Sequence, residues 1–216
     1  MAKTKIGILG TGDVGRTLGA GLCALGHEVK IGSREPASEK LREWKARAGP
    51  LASTGTFAEA AASGDLLVLA TLWTGTENAL RLAGAGALAG KPLIDTTNPL
   101  DFSSGAPRLS LGHTDSAGEQ VQRWAPQARV VKAFNTVGNA HMVKPQFPGG
   151  PPDMFLCGND EPAKAAVSAL CGELGWPTVD LGGIEMSRYL EPLAMVWIVH
   201  YFRTKSGNHA LKLLRK

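Results

Sequence analysis

Cysteine, one-signed charge and long hydrophobic runs are all scarce in this 216-residue sequence, and each scarcity removes a class of protein. The three cysteines, Cys23, Cys157 and Cys171, are far apart and odd in number. They form neither a disulfide framework nor a C-x-x-C pair, and each falls in an apolar stretch where it reads as a small core residue. The 23 Lys and Arg against 19 Asp and Glu leave only +4, and no five like charges occur in a row. That excludes a nucleic-acid-binding arm, although a small positive excess helps to draw in an anionic substrate. The longest greasy stretch, Leu193 to Phe202, is about half the ~20 residues of a bilayer span and contains His200. Nothing after Met1 resembles a signal peptide, so the expectation is a soluble chain in a reducing, cytoplasmic setting, with no membrane partner. His27, His113, His141, His200 and His209 show no ligand spacing, so no metal site is expected.

What remains is an ordinary globular composition, 44% hydrophobic and 19% charged, rich in glycine (27) and proline (13) but short of low complexity. A chain of this length buries roughly 70% of its unfolded surface. Strands and helices alternate along it. Lys5 to Leu9 is a short apolar strand, Asp13 to Leu25 a helix, Glu28 to Ile31 a strand and Pro36 to Arg47 a polar helix. A short helix at Phe57 to Ala62 precedes Asp65 to Thr71, a strand apolar on both faces, then a helix over Gly75 to Leu82 and a strand over Pro92 to Thr96. Ser116 and Glu119 form a capping-box pattern ahead of a helix to Trp124. Strands at Arg129 to Phe134, Met154 to Cys157 and Thr178 to Leu181 follow, with a helix over Glu161 to Leu174. Helices over Ser187 to Arg203 and Gly207 to Leu214 close the chain. The expected fold is α/β, a doubly wound, mostly parallel, Rossmann-like sheet over residues 1–183 with a short helical appendage at 184–216. The helix at 187–203 is apolar around more than one face at Leu190, Leu193, Met195, Trp197, Ile198 and Phe202, which predicts a homodimer seam.

The candidate site opens with Gly10-Thr11-Gly12-Asp13-Val14-Gly15, a Gly-x-Gly-x-x-Gly pattern between the first strand and the first helix. Gly10 permits the tight turn, Gly12 lets a diphosphate approach the backbone, and Gly15 lets helix and strand pack closely. Free N–H groups at the helix start would hold the phosphates. Asp13 would repel them unless it turns outward, and it is expected to cap the helix. At the end of the second strand, NAD sites usually carry an acid for the ribose hydroxyls; here stand Gly32, Ser33 and Arg34. A hydroxyl and a guanidinium suit a 2′-phosphate, which predicts NADP over NAD. Glu35 is read as favourable charge at the next helix start.

Several segments together resemble the NADP oxidoreductases that act on the deazaflavin coenzyme. They are Ile8 to Gly15, Gly32 to Arg34, Leu69-Ala70-Thr71-Leu72-Trp73, Val131-Lys132-Ala133-Phe134-Asn135-Thr136, Cys157 to Asp160, and Ser187 to Glu191. The same fold is found in the cytosolic domain of membrane metalloreductases that pass electrons from NADPH through a flavin. The resemblance implies reversible hydride transfer between NADP(H) and a planar acceptor: deazaflavin, or else FMN or FAD. It also implies that Thr11 to Val14, Ser33 and Arg34 hold NADP, and that Leu72, Trp73, Asn98, Pro99, Asn135 and Thr136 line the nicotinamide side. Such a transfer needs two stacked rings and a dry site, with no catalytic acid or base.

Two rival readings stay open. One is a reductase of a small carbonyl or imine; relatives of that kind append a long helical domain, and little chain follows Leu181. The other is a non-catalytic sensor of NADPH. Tyr201-Phe-Arg-Thr-Lys205 matches the Tyr-x-x-x-Lys of short-chain dehydrogenases, but its setting reads as an amphipathic terminal helix. His200 reads as a buried or interface histidine.

Overall fold

Short apolar runs buried on both faces need helices above and below them, and that is how the chain folds. The computed structural model describes residues 3–216. The first half runs β1 (Lys5–Leu9), α1 (Asp13–Ala24), β2 (Glu28–Gly32), α2 (Glu39–Ala48), β3 (Ala52–Gly55), α3 (Phe57–Ser63), β4 (Leu66–Leu69) and α4 (Trp73–Ala83). Then come α5 (Ala85–Leu88), β5 (Pro92–Asp95), a two-stranded hairpin of β6 (Leu100–Asp101) and β7 (Arg108–Leu109), and α6 (Ala117–Trp124). The remainder is β8 (Arg129–Lys132), β9 (Met154–Gly158), α7 (Glu161–Glu173), β10 (Thr178–Asp180) and α8 (Ser187–Thr204).

Eight strands make one sheet in the order β10-β9-β8-β5-β4-β1-β2-β3. All neighbours are parallel except β8 and β9, so a six-stranded doubly wound sheet carries a reversed pair at one edge. Leu18, Leu22, Leu41, Trp44, Val167 and Leu170 fill the core under α1, α2 and α7. Phe57, Ala60, Ala79, Leu80 and Val121 fill the opposite face under α3, α4 and α6. The chain leaves β1 toward β2 on one side and resumes at β4 on the other. This makes the carboxyl ends of β1 and β4 the switch point where such sheets bind ligands.

Two expectations are corrected. The segment Ala52–Gly55 is an edge strand, where only a loop was expected; it pairs with β2 from Val29↔Ala52 to Gly32↔Gly55. Residues 207–214 are not helical. Instead the tail folds back over α8: the Trp197 indole donates to the His209 carbonyl (2.9 Å), the Asp153 N–H donates to the Leu211 carbonyl (3.0 Å), and the Leu213 N–H donates to the Asp153 carboxylate (2.8 Å). His200, read as buried or at an interface, is exposed in the single chain and meets the His209 ring edge-on at 4.6 Å. The cysteines are all buried, and burial raises their thiols, Cys157 to about 11 and Cys171 to about 12. Among the described residues no helix is long and apolar enough to cross a membrane.

Candidate functional site

Every singled-out site residue lies just past the carboxyl end of one of five adjacent strands, β2, β1, β4, β5 and β8, so the fold brings them to one edge of the sheet. Past β1, Gly10 has φ +131° and a Cβ there would run into the Ala70 carbonyl. At Gly15 a Cβ would strike the Gly10 carbonyl, so this glycine sets how closely α1 approaches the loop. Gly12 differs: nothing but the Ala70 oxygen, at 4.0 Å, faces its missing Cβ, and the residue is exposed. Among the described residues, the first amide of α1 to find a carbonyl is that of Arg16, on Gly12 O at 3.1 Å, leaving the earlier N–H groups to face outward. Asp13 does not cap. Gly12 is the N-cap residue without a side-chain bond, and the Asp13 carboxylate pairs instead with the Arg16 guanidinium on the exposed side of the helix.

Past β2, the Ser33 hydroxyl accepts from the Glu35 N–H at 2.9 Å, shaping a tight turn whose next side chain is the exposed guanidinium of Arg34. Among the described residues Arg34 takes part in no ion pair. Glu35 lies ahead of α2, which starts at Glu39 with Ser38 as N-cap, so the acid in the first turn is Glu39. Past β4, Leu72 is the N-cap residue of α4 and is 83% exposed. The Trp73 ring stacks on Trp124 at 5.2 Å between centroids.

Past β5 and β8 the arrangement is denser. The Asn98 amide donates to the Asn135 carbonyl (2.9 Å), and the Asn135 amide donates to Asn98 Oδ1 and to the Leu190 carbonyl, each at 3.2 Å. Two acceptors facing one nitrogen fix the orientation of the Asn135 side chain. Its Oδ1 is buried without a partner in the protein. Pro99 and Thr136 are buried beside them. The chain turns between β8 and Asn135 at Phe134, a buried non-glycine residue with φ +62°.

Beneath this pair lies a group of charges that sequence reasoning missed. Lys132, Asp95 and Glu191 are completely buried or nearly so. Lys132 Nζ lies 2.8 Å from Asp95 Oδ2 and 2.9 Å from Glu191 Oε1, and donates to the Thr97 carbonyl at 2.7 Å. Burial works against the charged ammonium, but the two carboxylates outweigh it and hold the Lys132 pKa above its ordinary value. Asp95 Oδ1 accepts from the Thr97 N–H and hydroxyl, whereas Oδ2 has no hydrogen-bond partner among the described residues and meets the ammonium as an ion pair. Glu191 also accepts from the first two amides of α6, Ala117 and Gly118, both at 3.0 Å. A lysine inside the apolar run Val130-Val131-Lys132-Ala133-Phe134 was the available signal, because a buried ammonium demands carboxylates.

Among the described residues no group of three or more His, Cys, Asp or Glu side chains is placed to hold a metal ion. The open glycine loop, outward N–H groups and unpaired guanidinium suit a dinucleotide carrying a 2′-phosphate. By its fold, then, the chain is a doubly wound protein of the kind that binds nucleotides at its switch point. Comparison with known proteins narrows this. The family described as "NADP oxidoreductase coenzyme F420-dependent" matches residues 5–99. The F420-dependent NADP reductase of Methanocaldococcus jannaschii is 30% identical over 97% of this chain and 97% of its own. A crystal structure from Arthrobacter sp. FB24, provisionally an F420-dependent NADP-reductase, is 42% identical with a TM-score of 0.92, covering 98% of this chain and 100% of that one. Metalloreductase STEAP3 of Rattus norvegicus is 31% identical over 88% of this chain, which spans 36% of the length of that relative. The chain belongs to the F420-dependent NADP oxidoreductase family and is an NADP-dependent oxidoreductase.

Proposed function

We propose that the protein transfers hydride between NADP(H) and a deazaflavin or flavin lying over the nicotinamide. The unpaired Arg34 guanidinium, with the Ser33 hydroxyl and no carboxylate at the tip of β2, carries the NADP half of this reading. It would grip the 2′-phosphate through charge-assisted hydrogen bonds. Gly10, Thr11, Gly12, Asp13, Val14 and Gly15 would cradle the diphosphate, with the Asp13 carboxylate turned aside by Arg16. The nicotinamide would sit between Leu72 and Trp73 on one side and Asn98, Pro99, Asn135 and Thr136 on the other. Asn135 Oδ1 offers an acceptor fit for a carboxamide N–H. Bound NADPH supplies the hydride; the chain's own residues hold the dinucleotide, orient the two rings and exclude water. No side chain at this edge is needed to move a proton. The family and the likeness to the M. jannaschii enzyme support a deazaflavin as acceptor.

The decisive measurement is calorimetry on unliganded protein with NADPH and NADH. Arg34→Asp should weaken NADPH on the order of 100-fold and leave NADH within about threefold. Equal losses for both would remove the assignment. Stopped-flow oxidation of bound NADPH by deazaflavin, FMN, FAD and quinones then tests the acceptor, and tight binding without turnover would favour a sensor. The same proposal includes a homodimer, because α8 keeps Tyr189, Val196, Val199, Tyr201 and Phe202 exposed. Light scattering at micromolar concentration tests it, and a monodisperse monomer would reject it.

A further inference from the structure

The buried charges do more than hold each other. Follow the contacts from Lys132: its ammonium fixes the Thr97 carbonyl, and Thr97 precedes Asn98. The Asn98 amide donates to the Asn135 main-chain carbonyl, and the Asn135 amide donates to Asn98 Oδ1 and to the carbonyl of Leu190. Leu190 precedes Glu191, whose carboxylate returns to Lys132 Nζ. The circuit closes on itself. It ties together the ends of β5 and β8 and the second turn of α8, and Glu191 adds the first amides of α6. The ammonium donates to the Thr97 carbonyl, faces both carboxylates within 3 Å and is completely buried, so it does not stand where a ligand could meet it. Stability alone is a poor reason for such a group, since apolar side chains of similar volume often serve as well or better. Yet the circuit includes both asparagines placed at the nicotinamide.

We propose that Lys132, gripped by Asp95 and Glu191, is a positioning residue: through the Thr97 carbonyl and α8 it holds Asn98 and Asn135 where the nicotinamide ring must lie. This rests on the functional reading above. The role is indirect, because the lysine is completely buried against Thr97, Asp95 and Glu191. The adenosine end of the nucleotide, at β2, lies beyond β4 and β1 and should not sense the circuit.

The test compares NADPH with 2′-phospho-ADP-ribose, which keeps the phosphates and adenosine but lacks nicotinamide, by fluorescence and calorimetric titration. In Glu191→Gln the Kd for NADPH should rise at least tenfold while that for 2′-phospho-ADP-ribose stays within twofold. Leu170→Ala, a core truncation under α7, is the control. It should lower Tm by as much or more and move neither Kd. Lys132→Met strands two buried carboxylates and is expected to fold poorly. Combining it with Asp95→Asn and Glu191→Gln removes every charge at once. That triple variant should recover Tm relative to Lys132→Met but not the affinity for the nicotinamide. Wild-type affinity for NADPH in the triple variant, or equal losses for both ligands in Glu191→Gln, would overturn the inference. If the unaltered protein binds the two ligands equally well, the functional reading fails and the inference falls with it.

Discussion

The two halves of the site are built by opposite means. On the β1–β2 side, the chain uses backbone: glycines, outward amides and a tight turn, all within 25 consecutive residues from Gly10 to Arg34. One exposed guanidinium supplies the discrimination. On the β5–β8 side, it uses side chains from positions 95 to 191, and the working contacts are buried. A diphosphate is recognised by charge and by N–H direction, which local backbone provides cheaply wherever a helix begins. A flat, mostly apolar ring has to be recognised by where surfaces stand, so the residues around it must be braced.

The largest effect expected from that contrast is on stability. Lys132→Met leaves two carboxylates buried without their counter-charge and should cost about 3–5 kcal/mol, on the order of 15 °C in Tm. The sign of its pH dependence follows from the raised Lys132 pKa. A lysine bound more tightly to its proton when folded contributes fully below its unfolded value, near 10.5, and loses that contribution only as pH climbs through the higher folded value. In melting curves of the unaltered protein this contribution should therefore be undiminished between pH 6 and pH 9. Arg34→Asp, at an exposed position with no ion pair among the described residues, should leave Tm unchanged in the same assay. A comparable loss in both variants would break the comparison.

Next come two glycines that look alike in the motif. Gly10→Ala forces an alanine to φ +131° against the Ala70 carbonyl and should cost about 3 kcal/mol, roughly 10 °C in Tm. Gly12→Ala meets only one atom, 4.0 Å away, and should melt within about 2 °C of the parent. Its methyl group would stand where the diphosphate must approach, so NADPH affinity should fall by about tenfold. Calorimetry and melting on both variants separate a glycine kept for folding from one kept for the ligand. Tm losses of the same size would show that the loop is one structural unit.

This difference in construction also decides what could be read from the sequence. The doubly wound order, the glycine loop and the Ser33-Arg34 tip were legible because each depends on neighbours in the chain. The strand β3 was not: Ala52-Ser53-Thr54-Gly55 has no apolar alternation and is ordered by pairing with β2. The tail beyond Gly207 reads as a helix by composition but is held open by bonds to Trp197 and to Asp153. Asn98 and Asn135 were named, yet what holds them was not. The register Asp95↔Lys132 and the approach of α8 exist only once the sheet has formed.

The smallest effect concerns a partly buried relative of the fully buried circuit. Glu119, in the first turn of α6, receives the Arg188 guanidinium of α8 at 2.6 Å and the Ser116 hydroxyl at 2.7 Å. The Arg188 contact comes first among the influences that hold its carboxyl below the usual glutamate value. Stability from a carboxylate with a depressed pKa is present above the unfolded value, near 4.5, and fades as pH falls through the folded one. Glu119→Gln should therefore cost about 1 kcal/mol at pH 7, discounted for the solvent around Arg188, and progressively less as pH falls below the unfolded value. Paired melts at pH 7, 5 and 3 follow that convergence. A loss that stays the same at all three would mean that the neutral bond to Ser116 accounts for the contribution. The clamp between α6 and α8 would then rest on Glu191 and its buried partners alone.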